Sequence, residues 1–145
     1  MERTLIIIKP DGVRRKLVDK IVQRYERAGL KVITLKKMKA TPQLLKKHYS
    51  AHVGKEFYKA LEKFMSSEVV AFVLEGNNAV KQARAITGAT DPSKAERGTV
   101  RGDFGIDSAE KADKEKRAIE NLVHASGTKE EAEKEIGLWF PGLKK

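Results

Sequence analysis

The 145-residue chain suits one domain, 1–145, and a domain of that size buries about 70% of its unfolded surface without staples. It has no cysteine, which excludes a disulfide framework, a thiolate zinc site and a thiol nucleophile. Net charge is +10, from 30 basic and 20 acidic residues, so the surface attracts polyanions: nucleotides and, non-specifically, nucleic acids.

Met1 to Thr4 lead into only four apolar residues, Leu5 to Ile8. That run is too short for a signal-peptide core or a membrane span, so the sequence predicts a soluble, cytoplasmic protein with no membrane partner. Thr4 to Lys9 is β-branched and apolar and predicts a buried strand, ended by turn chemistry at Pro10-Asp11-Gly12. Val18, Ile21, Val22, Tyr25 and Ala28 recur at helical spacing, with Gly29 as the residue after the helix. Leu30 to Met38 predicts a second strand whose apolar phase shifts, as a bulge would cause. Thr41-Pro42 reads as an N-cap followed by proline at the first helical position, with a helix running to about Ala51. Phe57, Leu61, Phe64 and Met65 mark another helical face, and Val69 to Leu74 a third strand.

Asn77 or Asn78 is expected to cap a helix carrying Val80, Ala83 and Ile86, closed by Gly88. Residues 88–105 read as a loop, and 107–120 as a solvated helix or flap. Leu122 and Val123 predict a short buried strand ending at His124, and a helix from Lys129 to Leu138 follows. Thr128 and Glu131 have capping-box spacing at its start. Strands interleaved with helices, with no internal repeat and no linker, make an α/β or α+β sandwich.

The chemistry centres on His124. An imidazole where a strand ends beside a helix start can act as a nucleophile, and free backbone N–H groups there stabilise phosphate. Neither G-x-x-x-x-G-K-S/T nor G-x-G-x-x-G is present, so phosphate chemistry here would favour a covalent route through His124. Lys9, Arg84, Thr90 and Arg101 are candidate phosphate contacts. Taken singly, each also reads as a solvated side chain, a surface ion pair or a turn cap. Glu135 continues the Thr128, Glu131 row of the last helix and is placed to orient His124, though by position alone it is one glutamate among several. Tyr49 and Phe57 flank a polar turn and suit either a lid with a base-stacking plate or ordinary core packing. His48 and His52 have no acidic partner at metal spacing and are assigned no role.

At this point the residues match a known pattern. Arg3-Thr4-Leu5-Ile6-Ile7-Ile8-Lys9-Pro10-Asp11-Gly12-Val13, His48-Tyr49, Gly98-Thr99-Val100-Arg101-Gly102-Asp103-Phe104, Asn121-Leu122-Val123-His124-Ala125-Ser126 and Ala132 to Phe140 follow in order. Together they cover nearly the whole chain, which resembles the nucleoside diphosphate kinase family. The resemblance implies a ferredoxin-like α/β sandwich: a four-stranded antiparallel sheet covered by helices. It implies ping-pong transfer of the γ-phosphate from a nucleoside triphosphate to a nucleoside diphosphate, through a phosphohistidine (pros) at His124.

In that scheme Glu135 orients the imidazole and Ser126 hydrogen-bonds close by. Lys9, Tyr49, Arg84, Thr90 and Arg101 hold phosphates, and Lys9 and Asn121 meet the sugar 3′-hydroxyl. Phe57 stacks on the base with Leu61 beside it, which implies broad base specificity. Mg²⁺ arrives on the nucleotide with no direct protein ligand. The resemblance also implies a homo-oligomer, hexamer or tetramer. Two places depart from the family's usual pattern. Gly127 stands where an Asp is usual, and Asp107 to Glu120 is longer than the commonest form, with Ile119 the expectation for its apolar contact to the base.

Overall fold

The sheet is built around two strands that are apolar on both faces, which requires a layer on each side. In the computed structural model, which describes residues 1–144, these are β1 (Glu2–Ile8) and β3 (Glu68–Gly76). They pair antiparallel, with Leu5 opposite Val73 and Ile7 opposite Ala71. β2 (Lys31–Lys39) adds to the far edge of β3, and β4 (Val123–Ala125) to the free edge of β1. The order β2-β3-β1-β4, all antiparallel, is the predicted four-stranded sheet. The expected bulge in β2 lies between Val32 and Thr34.

Successive side chains of a strand point to opposite faces, so β1 feeds two cores. Ile6 and Ile8, with Val70, Phe72 and Leu74, pack against Ile21 and Tyr25 of α2 (Val18–Arg27) and Ala79 and Ala83 of α5 (Ala79–Thr87). Leu5 and Ile7, with Val69, Ala71 and Val73, pack on the opposite face. There they meet Leu45 of α3 (Pro42–His48), Met65 of α4 (Tyr58–Met65) and Trp139 of α8 (Lys129–Trp139). Truncating one fully buried isoleucine of β1 to alanine is expected to destabilise the fold by about 2–5 kcal/mol.

Local signals were partly overridden by tertiary partners. Pro10-Asp11-Gly12 is the start of a five-residue helix, α1 (Pro10–Arg14), with proline at its first position, rather than a turn. The loop expected over 88–105 contains a 3₁₀ turn (Pro92–Lys94) and a second short helix, α6 (Val100–Phe104), capped by Thr99. α3 ends at His48, three residues before the expected stop. Neither Asn77 nor Asn78 caps α5 through its side chain. Glu2 reaches across from β1, and its carboxylate accepts the Val80 N–H at 3.0 Å.

The segment 107–120 contains α7 (Ala109–Lys114) and is tied down at its ends. Arg117 donates two bonds to Asp107, at 2.7 and 2.9 Å, and Asp107 also accepts the Glu120 N–H at 2.8 Å. Ile119 is half-buried. No described helix is long and apolar enough to cross a membrane.

Candidate functional site

β4 positions the histidine. His124 stands opposite Ile7 in the β1–β4 ladder, so its side chain leaves the sheet on the same face as Ile7. That face is covered by α8 and α3. Val123 and Ala125 point the other way, into the core under α2 and α5. A three-residue strand thus delivers one polar side chain toward the C-terminal helix.

The segment leading into β4 is strained. Leu122 has φ of 72°, unusual for a γ-branched residue, and the Val123 N–H bonds the Asn121 carbonyl at 2.8 Å, closing a γ-turn. Its neighbours hold it in place. Asp11 accepts the Leu122 N–H at 3.0 Å, and the Leu122 carbonyl accepts the Lys9 N–H at 2.8 Å. Arg101 donates to the carbonyls of Asn121 at 3.0 Å, Val123 at 2.6 Å and Gly88 at 3.2 Å. Gly12 lets α1 fit beneath this turn, since a Cβ there would lie 2.8 Å from Ile8 Cγ2 and 3.3 Å from the Leu122 carbonyl oxygen.

His124 Nε2 lies 2.7 Å from Glu135 Oε1. Ser126 Oγ donates to the same oxygen at 2.7 Å, so the serine braces the glutamate rather than touching the imidazole. Burial alone would raise the Glu135 carboxyl, but its bonds to His124 and Ser126 outweigh that and hold it below the usual range. An ionised carboxylate accepts, so Nε2 carries the imidazole proton and Nδ1 keeps its lone pair.

His124 lines a cleft of about 280 Å³ together with Lys9, Arg84, Thr90, Arg101 and Asn121. Lys9 Nζ donates to Asn121 Oδ1 at 2.9 Å, and Asn121 Nδ2 donates to the Thr90 carbonyl at 3.0 Å. Burial, then the charge of Arg101, pulls the Lys9 ammonium down to about 8. Burial is likewise the main reason that Arg101 falls to about 10. Arg101 spends three of its five N–H donors on carbonyls and keeps two for a ligand. The cleft is therefore a concave, cationic, partly dehydrated pocket, suited to a polyphosphate.

Glu131 reaches this cleft in an unexpected way. Thr128 Oγ1 accepts the Glu131 N–H at 3.1 Å, as the capping-box spacing predicts. The returning arm, however, is taken by Gly127, whose N–H donates to Glu131 Oε2 at 3.1 Å. A carboxylate thus lies beside position 127 although residue 127 has no side chain.

Tyr49, Phe57 and Leu61 do not line this cleft. Tyr49 and Leu61 pack on the α3–α8 core, and Phe57, 51% exposed, stands at the start of α4 with its ring 5.3 Å from that of His52. The Tyr49 hydroxyl is buried without a partner, and burial, then the Glu135 charge, raises it well above the usual phenol range.

Sequence spacing missed His48. Its ring centroid is 4.5 Å from that of His124, with the planes at 78°. His48 Nδ1 accepts the Trp139 indole N–H at 3.0 Å. Only the alternation of β4 and the helical face of α8, taken together, could have suggested it. His48, His124 and Glu135 bring donor atoms within 4.8 Å of one another, a zinc-like set by residue type. Trp139 occupies one His48 lone pair and leaves an N–H on the other nitrogen, so His48 is a poor metal ligand as it stands. The set offers a single carboxylate, Glu135, where Mg²⁺ prefers several oxygen donors.

The nucleoside diphosphate kinase family model matches residues 2–144. A nucleoside diphosphate kinase of Nocardioides is 46% identical over 97% of this chain and 98% of that protein. The one from Thermoanaerobacter is 47% identical over 99% of both. Among solved structures, a transition-state mimic of the nucleoside-diphosphate kinase of Borrelia burgdorferi, with bound vanadate and ADP, superposes with a TM-score of 0.93. It is 38% identical, over 99% of this chain and 91% of that one. A strained, braced turn, a histidine aimed into a cationic cleft, and this likeness over the full length lead to one conclusion: the chain belongs to the nucleoside diphosphate kinase family, whose reaction moves the γ-phosphate of a nucleoside triphosphate to a nucleoside diphosphate.

Proposed function

We propose that His124 is the phosphate carrier of this kinase. The observation that supports it most is the 2.7 Å contact between His124 Nε2 and Glu135, which leaves Nδ1 as the free lone pair beside the cationic cleft. In the first half-reaction Nδ1 attacks the γ-phosphorus, the bond from phosphorus to the bridging β–γ oxygen breaks, and the diphosphate leaves with that electron pair. Glu135 faces the positive charge that develops on the ring, and Ser126 keeps the glutamate in place. In the second half-reaction a terminal oxygen of the incoming diphosphate attacks phosphorus, and the pair of the N–P bond returns to Nδ1.

Lys9, Arg84 and Arg101 neutralise phosphate oxygens, with Thr90 as a further phosphate contact. The buried, unpartnered Tyr49 hydroxyl lies outside the cleft lining and would have to turn to reach a phosphate. Lys9 and Asn121 are poised as a hydrogen-bonded pair for the sugar 3′-hydroxyl. Phosphoryl transfer depends mainly on such positioning and charge. Phe57 is the base platform, with Leu61 beside it, and the exposure of Phe57 fits a side chain that waits for a flat partner. Mg²⁺ bound to the nucleotide supplies further charge neutralisation.

Assembly as a hexamer or tetramer and a cytoplasmic location complete this reading. The edge strand β2, with Leu35 46% exposed, is a surface that such an assembly would cover. The test is incubation with γ-labelled ATP, then with an unlabelled diphosphate. Acid-labile label that moves to the diphosphate, and that is absent in His124→Ala, is expected. Label retained in His124→Ala would overturn the assignment. Non-specific nucleic-acid binding through the +10 surface is a separate property, and it should weaken steeply with salt.

A further inference from the structure

We propose that His48 is a positioning residue for phosphoryl transfer, locked by the Trp139 indole as a neutral imidazole that braces the His124 ring edge to face. This rests on His124 being the carrier. Three contacts box the His48 ring: Tyr49 at 4.5 Å and 84°, Trp139 at 5.6 Å and 89°, and His124 at 4.5 Å and 78° between centroids and planes. The box joins α3 to α8 across the face on which β4 presents its histidine.

The lock follows from donor and acceptor chemistry. An indole N–H only donates, so the His48 Nδ1 that meets it must carry a lone pair, and a neutral ring then holds its proton on Nε2. Placing a second proton on His48 means losing the Trp139 bond. Charged groups around it oppose protonation as well. Burial and the neighbouring His124, with Lys9 and Lys134, push His48 down to about 3, while Glu135 pulls the other way.

Neutrality matters for the carrier. A His48 cation beside Glu135 would compete for the carboxylate that orients Nε2 of His124, and would repel the positive ring formed on phosphorylation. Shape matters too. Glu135 fixes one nitrogen of His124, but rotation about that single bond would still swing Nδ1, and the His48 ring blocks this rotation. Small misplacements of a reacting atom are costly in rate.

The proposal is tested by the rate of phosphoenzyme formation from γ-labelled ATP between about pH 5 and 9, in the wild type, Trp139→Phe, and Trp139→Phe/His48→Phe. Imidazole ¹⁵N spectra of the wild-type protein, which need no variant, report the tautomer directly. In the wild type His48 should show an unprotonated Nδ1 and a protonated Nε2. Trp139→Phe, which frees Nδ1 for a second proton, should gain an acid limb at the low end of this range, with the phosphorylation rate near pH 5 reduced severalfold and the nucleotide KM within about twofold of wild type. The double variant should lose that limb, because phenylalanine keeps a ring edge but does not titrate. A wild-type profile in Trp139→Phe, a limb that persists in the double variant, or a proton on His48 Nδ1 would each overturn the proposal. His124→Ala separates the two readings. Label in that variant would sink the carrier itself, whereas no label there with a wild-type Trp139→Phe would sink only the role of His48.

Discussion

Asp11 accepts the backbone N–H of Leu122 at 3.0 Å across 111 positions of sequence. The bond joins the first turn of α1 to the γ-turn immediately before β4. A residue held in such a conformation costs on the order of 1–3 kcal/mol and persists only where its surroundings over-determine it. Asp11 is one of those surroundings, and it is buried at 2% exposure. Asp11→Ala, which orphans a buried N–H, should lower stability by about 1–3 kcal/mol in urea unfolding. It should also depress kcat more than it raises KM, while Asp11→Asn, which keeps an acceptor oxygen, should recover most of both.

Lys9 is expected to set an alkaline limit on nucleotide binding. Its ammonium falls to about 8 through burial and the Arg101 charge, so the free enzyme loses that cation as pH rises past this value. Bound phosphate favours the charged form, so the KM for nucleotide should climb above about pH 8. Lys9→Met should show a high KM with no such rise. The stability sign is the reverse of a salt-bridged lysine. The unfolded chain, at 10.5, holds more protons than the folded one between about 8 and 10.5, so stability should increase with pH across that window.

Glu135 is expected to act through the imidazole. Glu135→Gln keeps an acceptor for Nε2 but removes the charge opposite the developing cation. Loss of one preorganised electrostatic contact of this kind is worth about 10²–10³ in kcat. Ser126→Ala, which removes only a brace on the carboxylate, should lose much less, and single-turnover labelling in both variants checks the ranking.

Gly127 leaves a gap that Glu131 fills. A Cβ at 127 would lie 2.5 Å from Glu131 Oε2, the far end of a flexible side chain, so Gly127→Asp should fold. It would add a second carboxylate at the mouth of the phosphate cleft, and KM should rise about threefold at low salt. Gly127→Asp/Glu131→Ser should return KM toward the wild-type value.

The segment 107–120 behaves as a stapled excursion. The Arg117 guanidinium beside Asp107 is the main cause holding that carboxyl far below its usual range. A depressed carboxylate contributes stability that is present above its unfolded value, near 3.8, and lost as pH falls through its folded one. Asp107→Asn should therefore lower Tm by a few degrees at pH 7, and the difference from wild type should shrink toward pH 2 in calorimetry.

The features legible in the sequence were those written in local pattern. The continuous apolar run of β1, the bulge in β2 and the caps Thr41 and Thr128 rest on neighbours within a few residues. α1 and α6 escaped because five residues carry too little helical period to read. The cap of α5 escaped because Glu2 supplies it from another element. Of the cationic cleft, His124, Lys9, Arg84, Thr90 and Arg101 are candidates from residue type and local position and Asn121 from resemblance, while His48 escapes because its partners, His124 and Trp139, are brought to it only by the fold. Arg101 was expected to hold phosphate, and most of its visible work is on backbone carbonyls.

The pairing of β4 with β1 joins Val123–Ala125 to Ile6–Ile8, nearly the two ends of the chain. Such a closure is entropically costly and is expected to come late, after local helices and nearer hairpins have formed. Until it does, His124 has neither its face of the sheet nor Glu135 beneath it. Regain of turnover during refolding should consequently lag behind regain of helical signal. The nitrogen proposed to carry phosphate would then be a product of a late long-range step, and a half-folded chain would hold no half-active site.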